Sequence, residues 1–303
     1  MRIGIIGATG FIGQALARVA VPRGIGVVAF SRKKEVFLPW AKEVRLVAPE
    51  GPAIDPRGLD AVVNLAGESV LGIWTRKKRR RIQDSRVQFT ERVVEAIKNC
   101  PADERPKTLL NASAVGIYGD RGDEVLTEKA VSGTSFLAKV CTGWESAACR
   151  AQAAGLRVVL LRTGLVLGNG GGMWEVVRRV FGLRLGGRLG SGKQWMPWIH
   201  IDDEVGIVMH ALENSSVSGP VNLSSPNPVT NAEFTSTLAS ALRKPAFLPA
   251  PAFALKMVLG DLGRSILESQ RAVPKVAAAR GYEFKHPELA GAFTDLLEVS
   301  NHQ

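Results

Sequence analysis

The opening stretch constrains this chain most: Met1-Arg-Ile-Gly-Ile-Ile-Gly-Ala-Thr-Gly-Phe-Ile-Gly13-Gln14. Ile3 to Ile6 reads as a buried parallel strand, Gly7, Gly10 and Gly13 follow at three-residue spacing, and a helix is expected from about Gln14 to Val19. A strand, a tight turn and a helix N-terminus suit a pyrophosphate. Glycines let the backbone approach it, and free N–H groups and the positive end of the helix dipole meet its charge. A glycine triplet also serves any tight strand-to-helix turn. Its place at the very start, between strand and helix, makes a dinucleotide site the preferred reading.

The second apolar run, Ile25 to Phe30, says which dinucleotide. An NAD-specific site usually carries an acid at this strand end for the ribose 2'-hydroxyl. Here the chain reads Ser31-Arg32-Lys33-Lys34. A hydroxyl, a guanidinium and two ammonium groups suit a 2'-phosphate, so NADP is the expected cofactor. The alternative is a solvated basic loop.

At 303 residues, with 46% hydrophobic and 22% charged residues, the chain can bury a large core as one big domain or two modest ones. No apolar run is long enough to span a bilayer, and the N-terminus opens directly into a core strand. No signal or transit peptide is therefore expected in this form. Cys100, Cys141 and Cys149 form no paired framework, which fits a reducing compartment: the cytoplasm, or the stroma or matrix side of an organelle for a mature form. The four histidines read as too scattered for a metal, and none is expected.

The net charge of +11 is densest at Arg76-Lys77-Lys78-Arg79-Arg80-Arg81, ahead of a helical pattern through Ile82, Val87, Val93 and Val94. Nucleic acid is not favoured as a partner, because no stacking aromatics or binding module surround the run. Peripheral attraction to an acidic membrane surface is a second alternative. The preferred account is a solvated helix end with one or two arginines turned toward the cofactor.

Strands and helices alternate through the first half, as in a doubly wound parallel sheet. Ala61 to Gly67 is a strand ending in small residues. Thr108 to Ala112 and Arg157 to Leu161 are two more strands, and Ser135 to Ala154 is helical with Gly155 as its stop. Gly186 to Lys193 lacks the spacing of a P-loop and reads as a turn near the substrate cleft. Trp195 to Asp203 is expected to start a helix running to about Glu213. Val221 to Ser224 is a short strand, and Thr230-Asn-Ala-Glu233 opens a capped helix. From Phe247 an apolar, proline-punctuated tail follows, with helices at Phe253 to Leu259 and Glu288 to Leu297.

The order Gly7-Ala-Thr-Gly10-Phe-Ile-Gly13, Asn64-Leu-Ala-Gly67, Ser113 to Gly119 and Leu160-Leu-Arg162 resembles an extended short-chain dehydrogenase/reductase. Asn64-Leu-Ala-Gly-Glu68-Ser69, Trp144-Glu-Ser-Ala-Ala148, Pro197-Trp-Ile-His200-Ile and Gln270-Arg-Ala-Val-Pro274-Lys look, more closely, like the nucleoside-diphosphate-sugar epimerase-like family. The resemblance covers nearly the whole chain. It implies an α/β, Rossmann-type doubly wound sheet over residues 1–246 and a family-specific, smaller and mostly helical C-terminal region over 247–303. Carried over by position, Gly7, Thr9, Gly10, Phe11 and Ile12 would meet the pyrophosphate, and Ser31 and Arg32 the 2'-phosphate. Leu65, Ala66 and Gly67 would flank the adenosine side, and Val166 would lie near the nicotinamide. Extended members carry an Asn-Val-x-Gly-Thr pattern whose Asn supports the cofactor; here Arg86-Val-Gln-Phe-Thr90 matches it, so Arg86, and Arg81 before it, are expected near phosphate oxygens.

Catalysis is where the pattern departs. The superfamily uses a Tyr and a Lys four residues later on one helix face, plus a Ser or Thr on the preceding loop. The matching helix reads Phe136-Leu-Ala-Lys-Val-Cys141-Thr-Gly-Trp-Glu145, with no Tyr four residues before a Lys. The two positions hold either Cys141 and Glu145 or Leu137 and Cys141. Glu68, Tyr118 and Ser113 stand as the replacement catalytic candidates. Two functions stay open: an NADP(H)-dependent oxidoreductase or epimerase of non-standard mechanism on a small, nucleotide-sugar-like substrate, or a non-catalytic NADP-sensing or scaffold protein that holds a partner through its basic surface and C-terminal region.

Overall fold

Short apolar runs between turns become central strands because both of their faces are covered by helices. The computed structural model describes residues 1–33 and 38–301, the side chains of 299–301 excepted. Lys34 of the basic corner lies outside the described residues. In chain order the elements are β1 (Arg2–Ile6), α1 (Phe11–Ala20), β2 (Gly26–Ser31), β3 (Glu43–Leu46), β4 (Ala61–Asn64), α2 (Arg76–Asp84), α3 (Val87–Asn99), β5 (Thr108–Ala114), β6 (Val125–Leu126), α4 (Phe136–Cys149), β7 (Arg157–Thr163), β8 (Leu165–Leu167) and α5 (Gly172–Gly182). Then come β9 (Trp195–Met196), β10 (Trp198–His200), α6 (Ile201–Glu213), β11 (Gly219–Leu223), β12 (Val229–Thr230), α7 (Asn231–Leu242), α8 (Ala252–Leu259), α9 (Asp261–Ile266), β13 (Arg271–Ala272), α10 (Lys275–Ala279) and α11 (Leu289–Asn301).

Seven strands pair in parallel in the order β11-β7-β5-β4-β1-β2-β3. The order reverses between β1 and β4, which opens a crevice beyond their C-terminal ends. Ile3 and Ile5 of β1 face the layer of α1 and α6, whereas Ile6 faces the α3 layer with Val62 and Ile97. Gly4 keeps that second face thin, since a Cβ there would sit 2.7 Å from the Phe30 ring. The expected Rossmann-type architecture is therefore present. A third cluster around Trp174, Trp198, Phe234 and Phe293 packs α5, α7 and α11 together.

Three local expectations change. α1 begins at Phe11 rather than Gln14, with Gly10 as its cap. The helix expected through Ile82 and Val94 breaks at Ser85-Arg86, and the break is used: Ser85 Oγ accepts the Glu68 N–H at 2.9 Å. Trp195 to His200 forms two short strands and α6 begins only at Ile201, because β10 pairs with β8 and β9 with β12. Thr230 and Glu233 form the expected reciprocal capping box. The C-terminal segment returns to the body, where Arg271-Ala272 pairs in parallel with Val125-Leu126.

Candidate functional site

The turn after β1 is shaped by what a side chain would strike. Gly7 has φ +84°, and a Cβ there would press on the backbone of Leu65 at 3.1 Å. A Cβ on Gly13 would lie 2.3 Å from the Gly7 carbonyl oxygen, so only glycine lets the first turn of α1 seat on the loop. Gly10 offers no side chain to cap the helix. The opening N–H groups of α1 are thus left to an external acceptor, the arrangement that suits phosphate. The Phe11 ring leans across onto residues 168–172; Cβ atoms on Gly168 and Gly171 would come within 2.7 and 2.8 Å of it. Thr9 and Gly10 are exposed and Ile12 half-buried beside them.

Leu65-Ala66-Gly67 is held flat by a buried polar chain beneath it. Asn64 donates to Asn111 Oδ1 at 2.7 Å and to Thr90 Oγ1 at 3.1 Å, and Trp144 Nε1 donates to the same Thr90 oxygen at 2.9 Å. Arg86 closes the loop from the far side. Its guanidinium carbon lies 3.2 Å from a Cβ built on Gly67, it donates to the Glu68 carbonyl at 3.0 Å, and it stacks over Trp144 at 5.1 Å. Burial lowers the Arg86 pKa without removing its charge.

The basic corner is organised by an acid. Ser31 sits at the end of β2 with its Oγ accepting the Lys33 N–H at 3.0 Å, and Arg32 is exposed. The Glu68 carboxylate accepts from Lys78 Nζ at 2.8 Å and lies 3.6 Å from Arg81. The Lys78 hydrogen bond, followed by the charges of Lys78, Arg81 and Arg32, holds the Glu68 pKa below the ordinary carboxylate value. Glu68, a catalytic candidate by sequence, therefore has its carboxylate committed to Lys78 and Arg81 within the field of Arg32. Of the run Arg76 to Arg81, Lys78 turns to Glu68 and Arg79 pairs with Asp261, while Arg76, Lys77 and Arg80 point to solvent.

Ser113 and Tyr118 are also redirected. Ser113 Oγ donates to Glu145 Oε1 at 2.7 Å, and Glu145 grips Arg162 through both oxygens at 2.8 and 2.9 Å. Arg162 in turn donates to the Tyr118 hydroxyl at 3.0 Å, and that hydroxyl donates to Asn222 Oδ1 at 2.7 Å. Tyr118 is fully buried, and desolvation raises its pKa. This chain of partners ties β5, β7, β11 and α4 together under the crevice, which leaves neither hydroxyl facing a ligand. It also bears on the two alignments of α4, because it commits Glu145 to Ser113 and Arg162. With Glu145 committed to the core, the positions beside the β5 end are Leu137, packed under Gly116, and Cys141, whose thiol takes a backbone hydrogen bond at Ala114 and is pushed up to about 12 by burial. Val166, in β8, is half-buried beside the glycine loop at 168–172.

Sequence reasoning missed three acids and a histidine pair. Glu204 is 1% exposed with one oxygen on Thr163 Oγ1 at 2.9 Å and no hydrogen-bond partner for the other among the described residues. Burial pushes its pKa up to about 8. Glu268, in the C-terminal region, is pushed up to about 7 by burial. Asp203 holds the C-terminal segment by accepting from Tyr282 and from the amides of Lys285 and His286. His200 and His286, two of the four histidines read as too scattered for a metal, stack at 3.8 Å, and with Asp202 they bring ligand-type atoms within 4.8 Å of one another. The tautomer argues against a metal there. His200 Nδ1 accepts the Asp202 N–H as the cap of α6, which leaves the ring proton on Nε2, 3.3 Å from Asp295 Oδ2.

Two family models match the chain: NAD dependent epimerase/dehydratase family over residues 3–224, and a domain of unknown function, DUF1731, over 250–296. The epimerase family protein SDR39U1 homolog, chloroplastic, of Arabidopsis thaliana is 39% identical over 98% of this chain and 87% of its own length. Epimerase family protein YfhF of Bacillus subtilis is 36% identical over 98% of both chains. The crystal structure of human epimerase family protein SDR39U1 with NADPH superposes with a TM-score of 0.86 at 34% identity, over 98% of this chain and 99% of that one. Those matches extend along both the crevice and the C-terminal segment that returns to it, and on them the chain belongs to the NAD dependent epimerase/dehydratase family, among the epimerase family proteins similar to SDR39U1.

Proposed function

We propose that the chain is an NADP(H)-dependent oxidoreductase or epimerase of non-standard mechanism, acting on a small substrate beside the crevice. The observation that carries it is the convergence of an uncapped, glycine-lined helix start with the Ser31-Arg32 corner, where Glu68 gathers Lys78 and Arg81. The residues present fit the cofactor. Glycines 7, 10 and 13 make room for the pyrophosphate, Thr9, Phe11 and Ile12 line the helix start, and Arg32 and Arg81 supply donors for a 2'-phosphate. Leu65 to Gly67 flank the adenosine, Arg86 braces them, and Val166 lies toward the nicotinamide end. When bound, the nicotinamide supplies a hydride donor or acceptor. The two parts of the chain, 1–246 and 247–303, would meet around the substrate. The crystal structure of the human relative with NADPH supports this choice of cofactor.

No helix among the described residues is long and apolar enough to cross a membrane, and the three cysteines are free. A reducing compartment, the cytoplasm or the stroma or matrix side of an organelle, is the proposed setting. Titration of the purified protein with NADPH and NADH in parallel, read by cofactor fluorescence, tests the reading. NADPH is expected to bind at least tenfold more tightly, and equal affinities would refute it. One observation favours a non-catalytic, partner-holding protein instead: α8 leaves Phe253 and Met257, one turn apart, 70% and 75% exposed. Under that reading NADPH binds but is never oxidised in a screen of small carbonyl compounds.

A further inference from the structure

A cleft of about 390 Å³ opens between the first turn of α4, α2 and α9. Its size is that of a small-molecule site. Leu137 lines it, and Leu137 also packs under Gly116 at the β5 end, so the cleft lies on the β5 side of the sheet. A dinucleotide crossing the strand ends from the β2 corner points its far ring to that side. Trp74 and Phe136 make the cleft walls apolar, and Lys139 and Arg264 add positive charge at its rim. Two acids reach it. Asp261 is committed to Arg79 and Arg264. Glu268 has no ion pair among the described residues; it accepts from the Ser135 hydroxyl and from Gln270 Nε2 at 3.4 Å.

The backbone around Glu268 is fixed. Ser269 donates its N–H to Asp120 at 3.0 Å and its hydroxyl to the Gly122 carbonyl at 2.7 Å, and it accepts the Trp195 N–H at 3.0 Å. Ser135 is fixed too, because its oxygen caps α4. A half-buried carboxyl held by two neutral donors on a fixed loop, at the wall of a small-molecule cleft, is how proteins place an acid that exchanges protons.

We propose that Glu268 is the proton donor and acceptor of this cleft, serving a small carbonyl- or hydroxyl-bearing substrate with an anionic group, from the place a tyrosine at position 137 would otherwise serve. The proposal rests on the NADP(H) reading above. In carbonyl reduction the hydride of the dihydronicotinamide bonds to the carbonyl carbon, and the Glu268 O–H bond breaks as its proton bonds to the carbonyl oxygen. The nicotinamide is oxidised, the carbonyl becomes an alcohol, and the Glu268 carboxylate regains a proton from water. Burial and the nearby charge of Asp120 put its pKa at about 7, so both protonation states are populated at neutral pH. Lys139, Arg79 and Arg264, from α4, α2 and α9, share the cleft, and Asp261 neutralises much of the charge of the two arginines.

The test is a pH titration of the full chain labelled with ¹³C at glutamate Cδ, recorded with saturating NADPH and with saturating NADP⁺. One resonance, absent in Glu268→Gln, is expected to titrate near pH 7. Its midpoint should fall by about half to one pH unit with the oxidised cofactor, whose ring carries a positive charge. Glu268→Gln should bind NADPH as the parent does. An unmoved midpoint, or one below about 5.5 in both states, overturns the assignment of Glu268 alone. Failure of the parent to bind NADPH overturns the cofactor reading, and the assignment falls with it.

Discussion

Replacing Glu204 by glutamine should stabilise the protein at neutral and higher pH, and more so as the pH rises. Glu204 lies under the C-terminal end of β7, 1% exposed, with a pKa pushed from 4.5 up to about 8. The folded chain therefore keeps a proton that the unfolded chain releases above pH 4.5. Stability attached to this group is fully present below pH 4.5 and is lost as the pH rises toward 8, where the folded carboxyl must ionise too. Each pH unit in that window costs about 1.4 kcal/mol, which accumulates to about 3 kcal/mol at pH 7. Glutamine stays neutral throughout and still accepts from Thr163. Its amide nitrogen takes the place of Oε2, which has no hydrogen-bond partner among the described residues, at a cost of about 1–2 kcal/mol. The expected net gain is about 1–2 kcal/mol at pH 7 and 2–3 kcal/mol at pH 8, with a loss at pH 5, so the two stability curves cross. Urea unfolding of parent and Glu204→Gln at pH 5, 6, 7 and 8 reads this directly, and the difference between them cancels other titrating groups. A difference that stays constant across the four pH values would refute the burial argument.

Arg32→Ala should weaken NADPH binding by about 10- to 100-fold, as loss of a charge-assisted hydrogen bond implies, and leave NADH affinity within twofold; fluorescence titration measures both. Gly13→Ala drives a methyl group toward the Gly7 carbonyl, so it should cost about 1–3 kcal/mol of stability and abolish cofactor binding even in the folded fraction, as urea unfolding and NADPH titration would show. Glu145→Gln leaves the Arg162 guanidinium buried without its counter-charge. It should cost about 3–5 kcal/mol by the same unfolding assay, while Glu91→Gln, which breaks only the exposed pair with Arg150, should cost less than about 1 kcal/mol.

Most of the sheet was legible because its inner strands are largely apolar runs, whereas the edge strand Glu43–Leu46, with Glu43 and Arg45 in it, was not expected; the turn was legible because glycine spacing reports directly on steric room. The departure at α4 was equally plain, since the absence of a tyrosine four residues before a lysine needs no coordinates. What the chain's order concealed were pairings across long separations. His200 and His286 meet only because Asp203 collects the amides of Lys285 and His286. Glu68 was read as a catalytic candidate because its partner Lys78 lies across an irregular loop, inside a run of which only one or two arginines were expected to turn inward. Glu204 and Glu268 were not singled out in the sequence: Glu204 is the last of three consecutive acids and Glu268 a lone one, and the perturbed acidity of each is a property of burial. Tyr118 and Ser113 misled for the opposite reason, being polar residues near the crevice whose hydroxyls are spent on holding the strands together.

The parallel pairing of Arg271-Ala272 with Val125-Leu126 makes the C-terminal segment a clasp fastened to the middle of the chain. A nascent chain halted between α7 and α9 holds the sequence of all seven strands of the sheet, yet it lacks both the clasp and Glu268. A product that ends between α7 and α9 thus carries the strands whose ends form the crevice but not Asp261, Arg264 and Glu268, which wall the neighbouring cavity. The crevice and the cavity beside it are in this way drawn from different lengths of the same polypeptide.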